Sequence, residues 1–495
     1  MQRLQPRTWP AQPAPMYTAS NIQYEHSDRV RGLESGGIGV MHRLARHTGL
    51  VDAIDQQVEV LKRHLPYHES DHVLGIAYNS LCGGTCLQDI ELRRQNEVYL
   101  DALGAQRIPD PTTAGDFCRR FSEADIDALQ TAINTTRVRV WRAQPAAFFA
   151  EAVIDADGTL AETTGQCKEG MDIAYNGVWG YHPLVVSLAN TGEPLYLINR
   201  SGNRPSAEGA AERFDQARRL CQAAGFRRIT FRGDTDFSQT RHLDRWTTDG
   251  VRFVFGYDAR ANVIRCADAV PARAWTPLVR RAPDPVQTEP RQRPVNVQAA
   301  TIVERGFKNL RLEAEAVAEF PYQPTACTQP YRMVVVRKNI SVERGEHRLF
   351  DEVRYFFYLT NDDVTPAADV VFLANDRCNQ ENLIDQLKHG VGAARMPVDT
   401  LLSNGAYMVM AALAWTLKAW FALLLPATGR WATRYAAEKA TVLRMEFKTF
   451  LNAFMRIPVQ VVRTSRRLVF RLLAWNPWQH VLLRGLDQLH GTLRD

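Results

Sequence analysis

Apolar and polar positions alternate along this chain with periods that change by region. From residue 30 to 145 the apolar residues recur at helical spacing, as in "HTGLVDAIDQQVEVL" and "SDHVLGIAYNSLCGGT", where residues three and four apart share a face. "IPDPTTAGDFCRRFSEADIDALQTAI" supplies a Pro-Thr-Thr helix start near Pro111 to Thr113, with Arg119 and Arg120 further on. A short helix, a turn and a second helix carrying basic residues can enter a DNA groove, although such pairs are abundant in proteins that never touch DNA.

At Phe148 the pattern becomes one of strands. "FFAEAVIDADGTL" is an apolar strand ending in acids, and "YHPLVVSLANTGEPLYLIN" is two strands about an Asn-Thr-Gly turn. "SAEGAAERFDQARRLCQAAG" is a capped helix ended by Gly225; "FRRITFRGDTDF" is a strand running into acids, followed by a helix and the strand "VRFVFGY". Strand, hairpin, helix, strand, helix, strand predicts an α/β sheet layered with helices. From about Ala259 to Leu373, Pro/Arg-rich connections lead to "RMVVVRKNI" and "VRYFFYLTND", which predict an all-β insertion. Helices resume with "NDRCNQENLIDQLKHG" and are expected to continue to the end. The segments are then a disordered, proline-rich leader (1–30), a helical domain (31–147), the sheet domain in two parts (148–258 and 374–426) around the insertion (259–373), and a helical, basic C-terminal region (427–495).

"GAYMVMAALAWTLKAWFALLLP", Gly405 to Pro426, is long and apolar enough to span a bilayer. Lys418 lies inside it and no second such segment exists, so a buried helix of a large core is expected and no membrane partner.

At 495 residues the chain exceeds one core. Its 45% hydrophobic and 23% charged residues are those of a globular protein. The net charge of +6 is unevenly spread: from Thr428 to Asp495 there are twelve Lys/Arg against four Asp/Glu, or +8, which leaves −2 for the rest. A basic tail on a near-neutral body suits an anionic partner, of which nucleic acid is the commonest, though solvated helix faces are the plainer explanation. The eight cysteines are mostly single. Cys82 and Cys86 form one C-x3-C after His64, His68 and His72, but Pro66 interrupts the first histidine step, so a solvated helix face is expected rather than zinc. Without a secretory signal the thiols are expected to be reduced and cytosolic.

Two predicted strands end in carboxylates, Asp155 and Asp157 in "VIDADGT" and Asp234 and Asp236 in "FRGDTDF". Any one of them could simply cap a turn. Strand-end acids also sit where open α/β sheets bind ligands, and a later helix adds Glu381. On that helix Arg377, Glu381 and Lys388 fall at about 0°, 40° and 20°, one stripe, while Leu383 and Leu387 form an apolar flank. Converging carboxylates repel unless a cation joins them, and hard oxygen ligands suit Mg²⁺ or Mn²⁺. Two such ions can activate a water or 3′-hydroxyl and stabilise the leaving oxygen of a phosphodiester; Arg377 and Lys388 would hold the phosphate backbone beside them.

These residues resemble insertion-sequence transposases of the DDE type, close to insertion-sequence family 1380 (transposase DDE domain group 1), over roughly residues 35 to 430. The family's first acid, in an Asp-x-Thr context, matches Asp157, with Asp155 as the fallback; its second, in Arg-x-Asp-x-x-Phe, matches Asp234 with Phe237. Its helix signature of Tyr, two residues, Arg, three, Glu, six, Lys matches at Arg377, Glu381 and Lys388, but the Tyr position is Ala374. "NGVWGYHPLVVSL", "NRSGNRPSA" and "CLQDIELRRQNEVYLDALGAQRIPDPTTAGDFCRRF" resemble further family segments, the last its DNA-binding helices. The resemblance implies an RNase H-like core interrupted by a β-rich insertion, and an enzyme that binds terminal inverted repeats as a dimer in a synaptic complex. It would cut the ends and join 3′-hydroxyls to target DNA with two Mg²⁺, which Mn²⁺ may replace, in the nucleoid-associated cytoplasm of a prokaryote. It also implies an aromatic of the insertion against a flipped base, for which Trp275 is the candidate. Arg463, Arg466, Arg467 and Arg471 in "RTSRRLVFR" would add phosphate contacts that weaken with salt. Two other readings stay open: a nuclease of the same fold that cuts without joining, and an inactive transposase-derived DNA-binding protein in which Ala374 is a first sign of decay.

Overall fold

The computed structural model describes residues 22–24, 31–64, 66–280, 297–464, 467–473, 475–491 and 493; nearly all of the expected leader lies outside them. At the centre is a nine-stranded sheet. Its strands in chain order are β1 (Ala152–Gly158), β2 (Leu184–Leu188), β3 (Glu193–Ile198), β4 (Ile229–Gly233), β5 (Arg252–Tyr257), β6 (Thr276–Pro277), β7 (Lys308–Tyr322), β8 (Tyr331–Arg344) and β9 (His347–Thr360). In space they run β6-β7-β8-β9-β5-β4-β1-β2-β3. β1, β4 and β5 are parallel neighbours; the other pairings are antiparallel. β2 and β4 are buried at every residue, which is why "LVVSL" and "ITFRG" read as continuous rather than alternating runs. The expected hairpin about Asn190 to Gly192 joins β2 to β3.

The all-β insertion requires correction. Its long strands extend the central sheet: the last four residues of β9 pair with β5, Phe357 opposite Tyr257 through Thr360 opposite Val254. β5 would otherwise leave a row of unpaired backbone groups along the core, and β9 satisfies them. The segment also contains the helices Ala261–Asp268 and Val297–Glu304. The C-terminal region is not wholly helical either. Between helices Ala432–Arg444 and Gln479–Gln488 lie β10 (Val459–Arg463) and β11 (Leu468–Leu472), a hairpin that also pairs with Gly32–Leu33 of the otherwise helical N-terminal region. Val459 and Val461 are buried while Gln460 and Val462 beside them are half-buried, a period-two pattern that belongs to a strand.

The apolar helix Leu401–Leu424 starts at a capping box of Thr400 and Ser403. It is long and apolar enough to cross a membrane, but 94% of its most apolar window is buried inside the fold. It packs on helices Glu69–Leu81 and Glu123–Arg142 and on β3. Lys418 within it donates to the Leu443 carbonyl at 2.8 Å and lies 3.8 Å over the Trp415 ring; burial lowers its pKa to about 7.

Glu193, on the edge strand β3, is fully buried. Its carboxylate accepts from Arg137 Nε at 3.1 Å, Trp141 Nε1 at 2.9 Å and Trp420 Nε1 at 2.9 Å, joining the N-terminal helices, the sheet and the apolar helix. Removing one member leaves the other charge buried and unpaired. Glu193→Ala is therefore expected to lose about 3–5 kcal/mol of stability by denaturant unfolding; a loss below about 1 kcal/mol would show that the node does not hold these layers together.

Candidate active site

The site is built from β1 outward. Asp155 and Asp157 alternate with inward residues and so share one face of the strand. Asp155 pairs with Arg232 of neighbouring β4 through two bonds, at 2.7 and 2.8 Å, with side chains 1% and 4% exposed. Arg232 also donates to the Leu373 carbonyl at 2.7 Å, near the end of helix Ala367–Asn375. Burial raises the Asp155 pKa while Arg232 opposes the shift. Both oxygens are committed to a guanidinium, so the fallback role of Asp155 as first acid does not fit this arrangement.

Asp157 lies one step nearer the strand end. Arg377, just before helix Cys378–Asp385, donates to it at 2.8 Å and lies 3.8 Å from Glu381. Burial pushes the Asp157 pKa up to about 6; Arg377 opposes this and the nearby charge of Asp234 adds to it. Asp234 follows β4 directly, with Oδ1 accepting from Asp236 N at 3.0 Å in a turn that buries Phe237. Burial raises its pKa too, against Arg377. A Cβ on Gly256 would fall 2.8 Å from Thr235 N and 3.0 Å from the Asp234 carbonyl carbon, so β5 passes this turn only as glycine.

The spacing of Arg377, Glu381 and Lys388 predicts one regular helix, which the structure does not form. Helix Cys378–Asp385 widens into a π-helical turn, Gln386–Gly390, whose Gln386 side chain accepts from Phe447 N at 2.8 Å. Lys388, on that turn, still reaches the end of β1: it donates to the Leu160 carbonyl at 2.8 Å and to Thr159 Oγ1 at 3.5 Å. Leu383 and Leu387 are buried as the apolar flank requires, and buried Gln380 donates to the Val185 carbonyl at 3.0 Å, seating the helix on β2. Glu381 is 63% exposed. Among the described residues, Asp157, Asp234 and Glu381 do not bring one oxygen each within 4.8 Å of one another. The donor set nonetheless fits a hard divalent cation. It is all oxygen, two of its carboxyls are raised by burial, which a bound cation would offset, and the third is exposed.

A cleft of about 350 Å³ opens beside these groups, lined by Asp234, Tyr257, Tyr355, Tyr358, Asn375 and Arg377 among others. Ala374, the position of the signature's tyrosine, lies in its wall. The Tyr358 hydroxyl donates to Asn375 Oδ1 at 3.3 Å, and Asn375 Nδ2 is buried with no partner. The residue spacing in the helix signature points nowhere near Tyr358, which comes from β9. Trp275 does not line the cleft; it lies under Arg337 at 4.3 Å and against Tyr355 at 6.2 Å, one ring behind the wall. Arg463 ends β10, 74% exposed and 3.9 Å from Asp101, and Arg467 is exposed before β11. Arg466 lies outside the described residues.

The profile of the family described as "Transposase DDE domain group 1" matches residues 33–493. No curated protein matches the chain. Among solved structures, a cryo-EM structure of a piggyBac transposase synaptic complex with hairpin DNA resembles it loosely, at 10% identity and a TM-score of 0.35, over 93% of this chain and 86% of that one.

The two neighbouring acids of β1 are expected to part in stability measurements. Asp155→Asn deprives buried Arg232 of its counter-charge and should lose about 3–5 kcal/mol. For Asp157 the folded pKa of about 6 exceeds the ordinary 3.8, so its stabilising contribution is full below pH of about 4 and lost as pH rises through about 6. Asp157→Asn stays neutral throughout. Without divalent ions it should therefore exceed the parent above pH 6, on the order of 1–3 kcal/mol, and match it at low pH. A variant less stable than the parent at pH 7 would contradict this electrostatic account.

Proposed function

This chain belongs to the transposase DDE domain group 1 family, and from that membership we propose that it is an insertion-sequence transposase with an RNase H-like core, near insertion-sequence family 1380. It binds the terminal inverted repeats of its element, cleaves the DNA ends and joins 3′-hydroxyls to target DNA, acting as a dimer in a synaptic complex within the prokaryotic cytoplasm. The observation that carries this reading is Arg377, 2.8 Å from Asp157 and 3.8 Å from Glu381, with its charge also acting on Asp234.

Asp157, Asp234 and Glu381 would hold Mg²⁺ or Mn²⁺. Such ions, when bound, make a water or 3′-hydroxyl a better nucleophile and offset charge on the scissile phosphate. Asp234 keeps one oxygen for its own turn and presents the other. Arg377 offers a planar fork that matches two phosphate oxygens, and Lys388, anchored on Leu160, adds a point charge at the strand end. Tyr358 brings a phenol to the gap left at Ala374. Its one O–H proton goes to Asn375 Oδ1, so Tyr358 acts by holding Asn375 in the cleft wall beside Arg377. Arg463 and Arg467, with Arg466 between them in sequence, grip the DNA backbone irrespective of sequence, and binding weakens with salt.

The test uses duplexes carrying the element's ends, a target plasmid and Mg²⁺. Cleavage followed by joined products is expected. Cleavage without joining would leave a nuclease, and end binding without cleavage an inactive DNA-binding protein. Asp234→Ala should keep end binding and lose cleavage; normal cleavage by that variant removes Asp234 from the site. Tyr358→Phe should slow cleavage roughly tenfold, the worth of the hydrogen bond that positions Asn375, while unchanged rates would leave the phenol without a role.

A further inference from the structure

The loop between helices Leu50–Gln57 and Glu69–Leu81 holds a cluster that the carboxylate centre does not use. Glu69, in the first turn of the second helix, is 1% exposed. One of its oxygens accepts from the Leu61 amide at 3.0 Å, and the other faces His64 Nε2 at 3.1 Å. The His64 and His68 rings stack with centroids 4.4 Å apart and planes 23° from parallel. One donor atom from each of His64, His68 and Glu69 lies within 4.8 Å of the others.

An acid in the first turn of a helix is accounted for by the helix dipole. That does not explain two imidazoles gathered over it, nor a carboxylate buried with one amide and one imidazole for company. We propose that His64, His68 and Glu69 form a zinc site that pins this loop. Two imidazoles and a carboxylate are a zinc donor set, with the fourth position left to water. Bonds of about 2.0–2.1 Å in a tetrahedron put donors roughly 3.3 Å apart. The His64–Glu69 pair already has that spacing, and rotation of exposed His68 supplies the rest.

The histidine spacing hinted at metal, but with the wrong companions. His72 stacks on Phe117 with centroids 4.2 Å apart. Cys82 follows the far end of the same helix, about 20 Å away at 1.5 Å per residue. Glu69 replaces both. The pinned loop carries Lys62 and Arg63, which with Thr113 and Arg120 line a groove of about 620 Å³ against helix Pro111–Cys118. Zinc would thus set the shape of a basic face of the N-terminal helices. This is separate from the carboxylate centre, whose three acids include no nitrogen donor.

The test is Zn²⁺ and Co²⁺ titration of the chelator-stripped full chain in excess Mg²⁺, which occupies carboxylate sites. One tightly held Zn²⁺ per chain is expected, with a raised thermal midpoint and visible Co²⁺ absorption of the strength that four-coordinate ions give. His64→Ala and His68→Ala, both at exposed positions, should each weaken Zn²⁺ binding roughly a hundredfold and abolish the Co²⁺ bands. No stoichiometric zinc in the parent, or undiminished binding and Co²⁺ bands in the double variant, overturns the site whatever the chain does to DNA.

Discussion

A single buried ion pair governs the geometry of the candidate site. Arg232 is held between strands by Asp155 and reaches across to Leu373, so one guanidinium fixes β1, β4 and helix Ala367–Asn375 relative to one another. Asp157 lies two residues beyond Asp155, Asp234 two beyond Arg232, and Arg377 four beyond Leu373. Each functional group is therefore attached by a few residues of chain to a member of this triad. Paired and buried, Asp155 and Arg232 are exchanged with solvent only at high cost, and Asp157, Asp234 and Arg377 inherit that rigidity while remaining at the edge of the core.

Much of this was legible in short-range pattern. Strand-end acids at 157 and 234, the apolar flank of Leu383 and Leu387, and the hairpin near Asn190 are all local signals, because strand and helix periods act over a few residues. "VQVVRTSRRLVFRL" alternates like a strand pair, a pattern masked by its density of arginines. The partnership of β9 with β5 had no local signal, since it depends on which open edge lies nearby in space. Nor did the role of Asp155, whose partner is 77 residues away. Tyr358 was hidden for the same reason: the signature directs the eye to position 374 on one helix, whereas the phenol arrives from another strand.

Electrostatics separates two kinds of buried charge in this fold. Glu193 and Asp155 each meet a guanidinium at full burial and act as joints. Burial raises Asp157 and Asp234 above the ordinary carboxyl range, and the guanidinium that opposes it, Arg377, is shared among three acids. The deficit of positive charge is thus localised at the mouth of the sheet and not spread through the core. A region that is short of cations and open to solvent is poised to recruit them.

The apolar helix Leu401–Leu424 has a consequence for biosynthesis. Its two largest partners, helices Glu69–Leu81 and Glu123–Arg142, and strand β3 precede it in the chain, while helix Ala432–Arg444, which packs on it as much as β3 does, follows. During translation much of the surface that shelters it has already left the ribosome by the time the helix emerges, which shortens the interval in which a bilayer-length greasy segment is open to chaperones or insertion machinery. A chain lacking the early helices would offer the same segment with no shelter, and its fate would then be decided by quality control rather than by folding.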